Sequence, residues 1–169
     1  MLSLKSKFRT HTCGELNANN VGETVVLSGW VHRKRDHGAL LFIDLRDNYG
    51  ITQIVFDGGD ENLEKVRPES VIKITGKVVA RDATAVNEKI PTGAIEIQAE
   101  NFEVLTNSEI LPFQVFGEEE VNEELRYKYR FLDLRREKLH NTILTRNKMM
   151  KWLRDKMWDL GFSEFQTPI

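Results

Sequence analysis

From residue 24 to residue 105, apolar and polar positions alternate in short runs, each closed by a turn signal. Alternation with a period of two predicts half-buried strands. Five are expected, at 24–35, 39–47, 51–57, 70–82 and 94–105. The breaks carry Asp36-His37-Gly38, Asn48-Tyr49-Gly50, Asp57-Gly58-Gly59-Asp60 and Pro91-Thr92-Gly93, residue types that tight turns favour. Residues 61–67 read as a short helix between the third and fourth strands. Further on the period changes. Leu139, Ile143, Met150, Leu153, Met157 and Leu160 recur at spacings of four, seven, three, four and three, which draws an apolar stripe along one helix over 137–160. Gly161 is a natural stop for it.

Between these regions the character differs from both. Pro112 and the acidic run Glu118-Glu119-Glu120 precede a basic, aromatic stretch, RYKYRFLDLRR at 126–136. This reads as a linker followed by a hinge. The expected organisation is therefore 1–107, 108–136 and 137–169. Five strands with a helix after the third is the pattern of the OB fold. The fold class expected is mainly β, a five-stranded OB-fold barrel with a short helix, then a hinge and a C-terminal α-helix.

Successive side chains of a strand point to opposite faces, so parity separates core from surface. Leu41, Ile43 and Leu45 suit the core, as do Ile54, Phe56, Ile72, Ile74, Val78, Ala80, Ile95 and Ile97. The opposite parity puts Phe42, Asp44 and Arg46 on one outer face, with Gln53, Lys73, Thr75, Lys77, Arg81, Glu96 and Gln98. The first strand ends in Arg33-Lys34-Arg35 beside His37. One aromatic, an amide, a carboxylate and several cations suit single-stranded nucleic acid. An aromatic face stacks on a base, amides and carboxylates read base edges, and cations neutralise phosphates. Each has a plainer reading, Phe42 as a ring covered by a loop, the cations as a solvated strand end. Trp152 and Trp158 read as packing residues of the long helix.

Composition narrows little further. Lys and Arg number 24 against 26 Asp and Glu, so the formal net charge is −2 and only local charge can attract nucleic acid. Cys13 is alone, which excludes an internal disulfide, and reads as a small buried apolar group. His11, His32, His37 and His140 lack metal-ligand spacing and read as surface or loop residues. No stretch has signal-peptide or membrane-spanning character, and a cytoplasmic protein is expected.

The run GWVHRKRDHGALLFIDLRDNYGITQIVF at 29–56 resembles the anticodon-binding domain of bacterial-type aspartyl-tRNA synthetases. TGKVVARD at 75–82 and PTGAIEI at 91–97 continue the match, and RYKYRFLDLRR resembles that family's junction of hinge and catalytic domain. GFSEFQTPI at 161–169 resembles the end of class II motif 1, with Gly161, Phe162 and Pro168 among its residues and a strand following the helix. The resemblance implies an enzyme that joins aspartate to tRNA(Asp) with ATP and Mg²⁺ and works as a homodimer through motif 1. It implies that Phe42 stacks on the central uracil of the anticodon, that Gln53 hydrogen-bonds that base, and that Arg35 is a basic contact in the same loop. Arg81 and Glu96 match residues near the first and third anticodon bases. Where relatives carry Asn after the fourth strand this chain has Ala85, with Asn87 nearby; Arg33, Lys34 and His37 are supporting contacts. His37 lies in a loop that, in the family, separates tRNA(Asp) from tRNA(Asn). Motifs 2 and 3 are not among these residues, so the 169 residues are expected to bind tRNA and catalyse nothing, without cofactor or metal of their own. The rival readings are a stand-alone single-strand-binding OB protein and a protein-interaction module working through the long helix.

Overall fold

The computed structural model describes residues 6–58, 61–117 and 119–168. Residues 1–5 of the N-terminal segment, Gly59 and Asp60 of the third expected turn, Glu118 of the acidic run and Ile169 lie outside them. The chain divides into two compact units, Met1–Ile110 and Leu111–Ile169.

The first unit holds β1 (Thr24–Asp36), β2 (Leu40–Arg46), β3 (Ile51–Asp57), α1 (Glu61–Glu64), β4 (Val71–Ala80) and β5 (Ile95–Thr106). The strands close into one sheet in the order β1-β2-β3-β5-β4, so no long edge is left to pair with another chain. The β3–β5 junction is parallel and the other four are antiparallel. Inside the sheet lie Val25, Leu27, Val31, Leu41, Ile43, Leu45, Ile54, Phe56, Ile72, Ile74, Val78, Ile95 and Ile97, joined by Cys13, Leu16, Leu63 and Val66. Burial pushes the Cys13 thiol far above its usual range, with the nearby Asp47 carboxylate adding to the shift. This thiol is inert in the folded chain.

Three expectations need correction here. Ala80 is exposed, because it sits on the last rung of the β4–β5 ladder, opposite Ile95, where the core ends. The helix expected over 61–67 stops at Glu64, and Pro68 bars its extension through Arg67. His32, expected at the surface, is half-buried within β1.

In the second unit the expected linker is partly helical. α2 (Glu123–Lys128) starts at Asn122, whose side chain accepts from the Glu124 N–H at 2.8 Å, and α3 (Arg130–Asp133) follows. A small core of Phe113, Val115 and Leu132 holds this stretch, with Leu125 and Tyr129 packed on it. Asp133 is buried and accepts from Arg126 Nε at 3.0 Å and Arg130 Nη1 at 2.8 Å.

α4 (Glu137–Asp159) ends as the sequence predicts. Gly161 takes φ +87°, and the bonds Gly161 N–H to Trp158 O and Phe162 N–H to Met157 O close a Schellman cap. No residue of α4 is buried, and Trp152 and Trp158, expected as packing groups, are 67% and 57% exposed. The strand expected after Gly161 is not formed among the described residues 162–168, where the chain offers no neighbour for pairing. Phe162 and Pro168 are exposed there. Among the described residues no helix is long and apolar enough to cross a membrane.

Candidate nucleic-acid interface

The outer face of β1, β2, β3 and β5 is assembled by register. Phe42 stands opposite Arg35 on one side and Val55 on the other, and Asp44 stands opposite Arg33 and Gln53. Directly paired residues share a face, so these side chains converge. The surprise is Arg35. Val25, Leu27 and Val31 point inward, and strict alternation would turn Arg35 inward with them. A bulge between Val31 and Arg33 inserts His32 as an extra residue, and parity reverses beyond it. Arg33 and Arg35 thereby face outward with Phe42. Lys34 takes the opposite side and its Nζ donates to Leu63 O at 3.3 Å, at the end of α1.

A continuous polar chain runs across this face. Arg35 Nη2 donates to Asp44 Oδ1 at 2.6 Å and to Gln53 Oε1 at 3.1 Å. Gln53 Nε2 donates to Glu96 Oε2 at 2.8 Å, and Arg81 Nε lies 3.6 Å from the same oxygen. The order fixes the Gln53 amide: its carbonyl faces a pure donor and its NH₂ a pure acceptor. Arg81 Nε also donates to Ile95 O at 3.0 Å, which ties it to the first residue of β5. Burial lowers the Arg81 pKa from the ordinary arginine value, and the Glu96 carboxylate works against that shift. An arginine so placed remains charged.

Above the chain lies Phe42. His37 meets the ring edge-on with centroids 5.4 Å apart, and the Arg35 guanidinium carbon is 5.9 Å from the ring centre. The turn carrying His37 is held by the Gly38 N–H donating to Asp36 Oδ1 at 2.8 Å, with Gly38 at φ +79°. Two buried donors of the face have no partner, Arg35 Nε and Arg81 Nη2. Unsatisfied buried donors are rare and need a reason. Here both belong to cations that flank the amide and carboxylate of Gln53 and Glu96.

The sequence-predicted residues thus fall into groups. Arg35, Phe42, Gln53, Arg81, Glu96 and His37 are brought together, and Arg33 shares their face while remaining exposed. Lys34 does not join them. Asn87 is exposed in the β4–β5 connection, where its Oδ1 accepts from the Lys89 N–H at 3.1 Å and its backbone N–H donates to Gly93 O. It shapes that loop. Gly161, Phe162 and Pro168 belong to the second unit. Sequence reasoning passed over Asp44 as a site residue, although its parity with Phe42 was the available signal. Among the described residues no group of three His, Cys, Asp or Glu could hold a metal ion.

Residues 25–105 match the family described as OB-fold nucleic acid binding domain, and residues 122–169 match tRNA synthetases class II (D, K and N). Over 97% of its length the chain is 58% identical to an aspartate–tRNA(Asp/Asn) ligase of Paracoccus denitrificans. The chain thus carries an OB-fold nucleic-acid-binding domain followed by class II (D, K and N) tRNA synthetase sequence. It spans 28% of that relative's length, and the same share of a Pelagibacter ubique ligase of the same name to which it is 54% identical. Among solved structures, the asparaginyl-tRNA synthetase of Pyrococcus horikoshii superposes with a TM-score of 0.77 at 26% identity, over 94% of this chain and 36% of that one. An Entamoeba histolytica aspartyl-tRNA synthetase shares the fold, with a TM-score of 0.80 at 22% identity over 91% of this chain and 38% of that one. An OB domain followed by class II synthetase sequence disfavours a stand-alone OB protein.

Proposed function

We propose that the first unit reads the anticodon loop of tRNA for an aspartate–tRNA ligase. The ligase as a whole uses ATP and Mg²⁺ to join aspartate to tRNA, acts as a homodimer and resides in the cytoplasm. The reading rests on one observation above all. Arg35 donates to Gln53, Gln53 donates to Glu96, and Arg81 pairs with the same carboxylate at 3.6 Å, with the Phe42 ring 5.9 Å from the Arg35 guanidinium and buried donors unpartnered at both arginines. Phe42 supplies the stacking surface for the central uracil of an unpaired loop. Gln53 and Arg35 are within reach of that base's edge, and Arg81 and Glu96 take the flanking bases. Asp44 positions Arg35 for this role.

The names of the relatives add tRNA(Asn) to tRNA(Asp). We extend this to the present chain: His37, edge-on to Phe42, belongs to the part of the site that accepts both anticodons.

The test is binding of the full chain to two anticodon stem-loops at moderate salt, one with the Asp anticodon and one with its central uracil replaced by adenine. Preference for the first is expected. Phe42→Ala should weaken the matched complex by about 1–3 kcal/mol, the usual worth of stacking one base on an aromatic side chain, and leave the fold intact by circular dichroism. Equal binding of both RNAs would move the domain to sequence-blind single-strand binding.

A further inference from the structure

Arg35 faces the site only because β1 carries an extra residue at His32, so whatever holds that bulge also sets the reading geometry. The bulge is held from two sides. On the β4 side, the Val31 N–H donates to Ser70 O at 2.8 Å and the Glu69 N–H donates to Val31 O at 2.7 Å. On the β2 side, the Arg46 guanidinium forms a fork. Its Nη1 lies 3.1 Å from His32 Nδ1 and its Nη2 donates to Glu69 Oε1 at 2.7 Å. A guanidinium only donates, so His32 Nδ1 accepts and the ring proton sits on Nε2. Burial, and then the charge of Arg46, lower the His32 pKa, which keeps the ring in the neutral form this bond requires.

Glu69 carries a second sign that the arrangement is over-determined. It is the one non-glycine residue with positive φ among those described, at +68°. A side chain there is strained, and such strain persists where surrounding contacts demand it. Its carboxylate is 4% exposed and grips Arg46, whose side chain is 17% exposed. His32, Arg46 and Glu69 are contiguous at the bulge. Their link to the site passes through the backbone of β1.

We propose that His32, clamped by Arg46 and Glu69, is a positioning residue for Arg35: it pins the bulge that turns the arginine onto the RNA-reading face. The proposal rests on the anticodon reading above. It implies that the strained Glu69 and the half-buried Arg46 serve specificity as well as the fold. It also implies that a side chain with an acceptor at the place of Nδ1 replaces His32 without loss. Asparagine meets that condition, since its Oδ1 sits at the same distance along the side chain.

The experiment measures the preference of the full chain for the uracil-centred stem-loop over the adenine-centred one. The variants are Arg35→Ala, His32→Ala, His32→Asn and the double variant His32→Ala/Arg35→Ala, each with a thermal melt. Arg35→Ala should reduce the preference at least fivefold. His32→Ala should reduce it severalfold, His32→Asn should restore it, and His32→Ala should change nothing further in the Arg35→Ala background. If His32→Ala fails to fold, Arg46→Lys takes its place, since it keeps a charge beside Glu69 and loses the fork. A His32→Ala chain that melts earlier and discriminates as before overturns the proposal alone. So do effects that multiply in the double variant. An unchanged preference in Arg35→Ala overturns the anticodon reading of this residue, and the proposal with it.

Discussion

The first unit packs its apolar side chains inside a closed sheet and ties its outer polar groups to one another. In the second, Phe113, Val115 and Leu132 form a small core while α4 buries none of the apolar residues it carries. Stability is therefore expected to be uneven along the chain. A pre-arranged polar face needs a rigid sheet behind it, because misplaced donors cannot read a base edge. α4 has no such demand within this chain. Its stripe, with Met157 39% and Leu160 60% exposed, is a surface of the kind that drives association.

Truncation breaks or sharpens this contrast most strongly. Ile43→Ala empties a site that is 0% exposed and should destabilise the first unit by about 2–5 kcal/mol. Leu153→Ala, at 48% exposure and in a helix that favours alanine, should stay within about 0.5 kcal/mol. The two units need not unfold together, so the transitions must be told apart. Cys13 does this: its buried thiol should react with an alkylating reagent only when the first unit opens. Urea titration followed by Cys13 labelling should show a large shift for Ile43→Ala and none for Leu153→Ala. An equal cost at Leu153 would mean that α4 is covered in solution.

A smaller effect is expected where the second unit relies on charge. Asp133 is 1% exposed and receives two guanidinium bonds, but the Arg126 and Arg130 side chains are 36% and 43% exposed. Water screens the far side of both cations, so Asp133→Asn should cost about 1 kcal/mol, near the value of one charge-assisted hydrogen bond after screening. Loss of helical signal at lower urea, with Cys13 labelling unchanged, would place the effect in the second unit. A matching change in Cys13 labelling would show that the two units unfold as one.

The legible parts of the fold are those in which one periodicity held over many residues. Leu41, Ile43 and Leu45 against Phe42 and Asp44 gave β2 its two faces, and the α4 stripe ran from Leu139 to the cap at Gly161. Gln53, Glu96 and Arg81 were placed on the outer face by parity, and they meet there. Parity could not show that Gln53 would be only 7% exposed, because that burial comes from the neighbours bonded to it. It also could not show the bulge at His32, since an inserted residue leaves no mark in a run of alternating types. The helices at 123–133 were read as a hinge because their apolar residues serve a core too small to produce a stripe. Lys34 illustrates the loss: three consecutive cations look alike in sequence, and a single extra residue before them decides which ones share a face.

That difference is the finest test of the comparison. Arg33 is exposed on the reading face, whereas Lys34 donates to Leu63 O and supports the end of α1. Removing a cation that neutralises one phosphate of a single strand lowers the slope of log affinity against log salt by about 0.7. Arg33→Ala should lower affinity for the matched and mismatched stem-loops by the same factor and flatten both salt plots by about that amount. Lys34→Ala should leave both plots parallel to those of the parent chain. Its cost should appear in stability instead, at about 0.5–1.5 kcal/mol for one lost hydrogen bond, read by Cys13 labelling in urea. Equal flattening by the two variants would mean that RNA reaches both sides of the β1 end, and the bulge would then no longer separate a reading cation from a structural one.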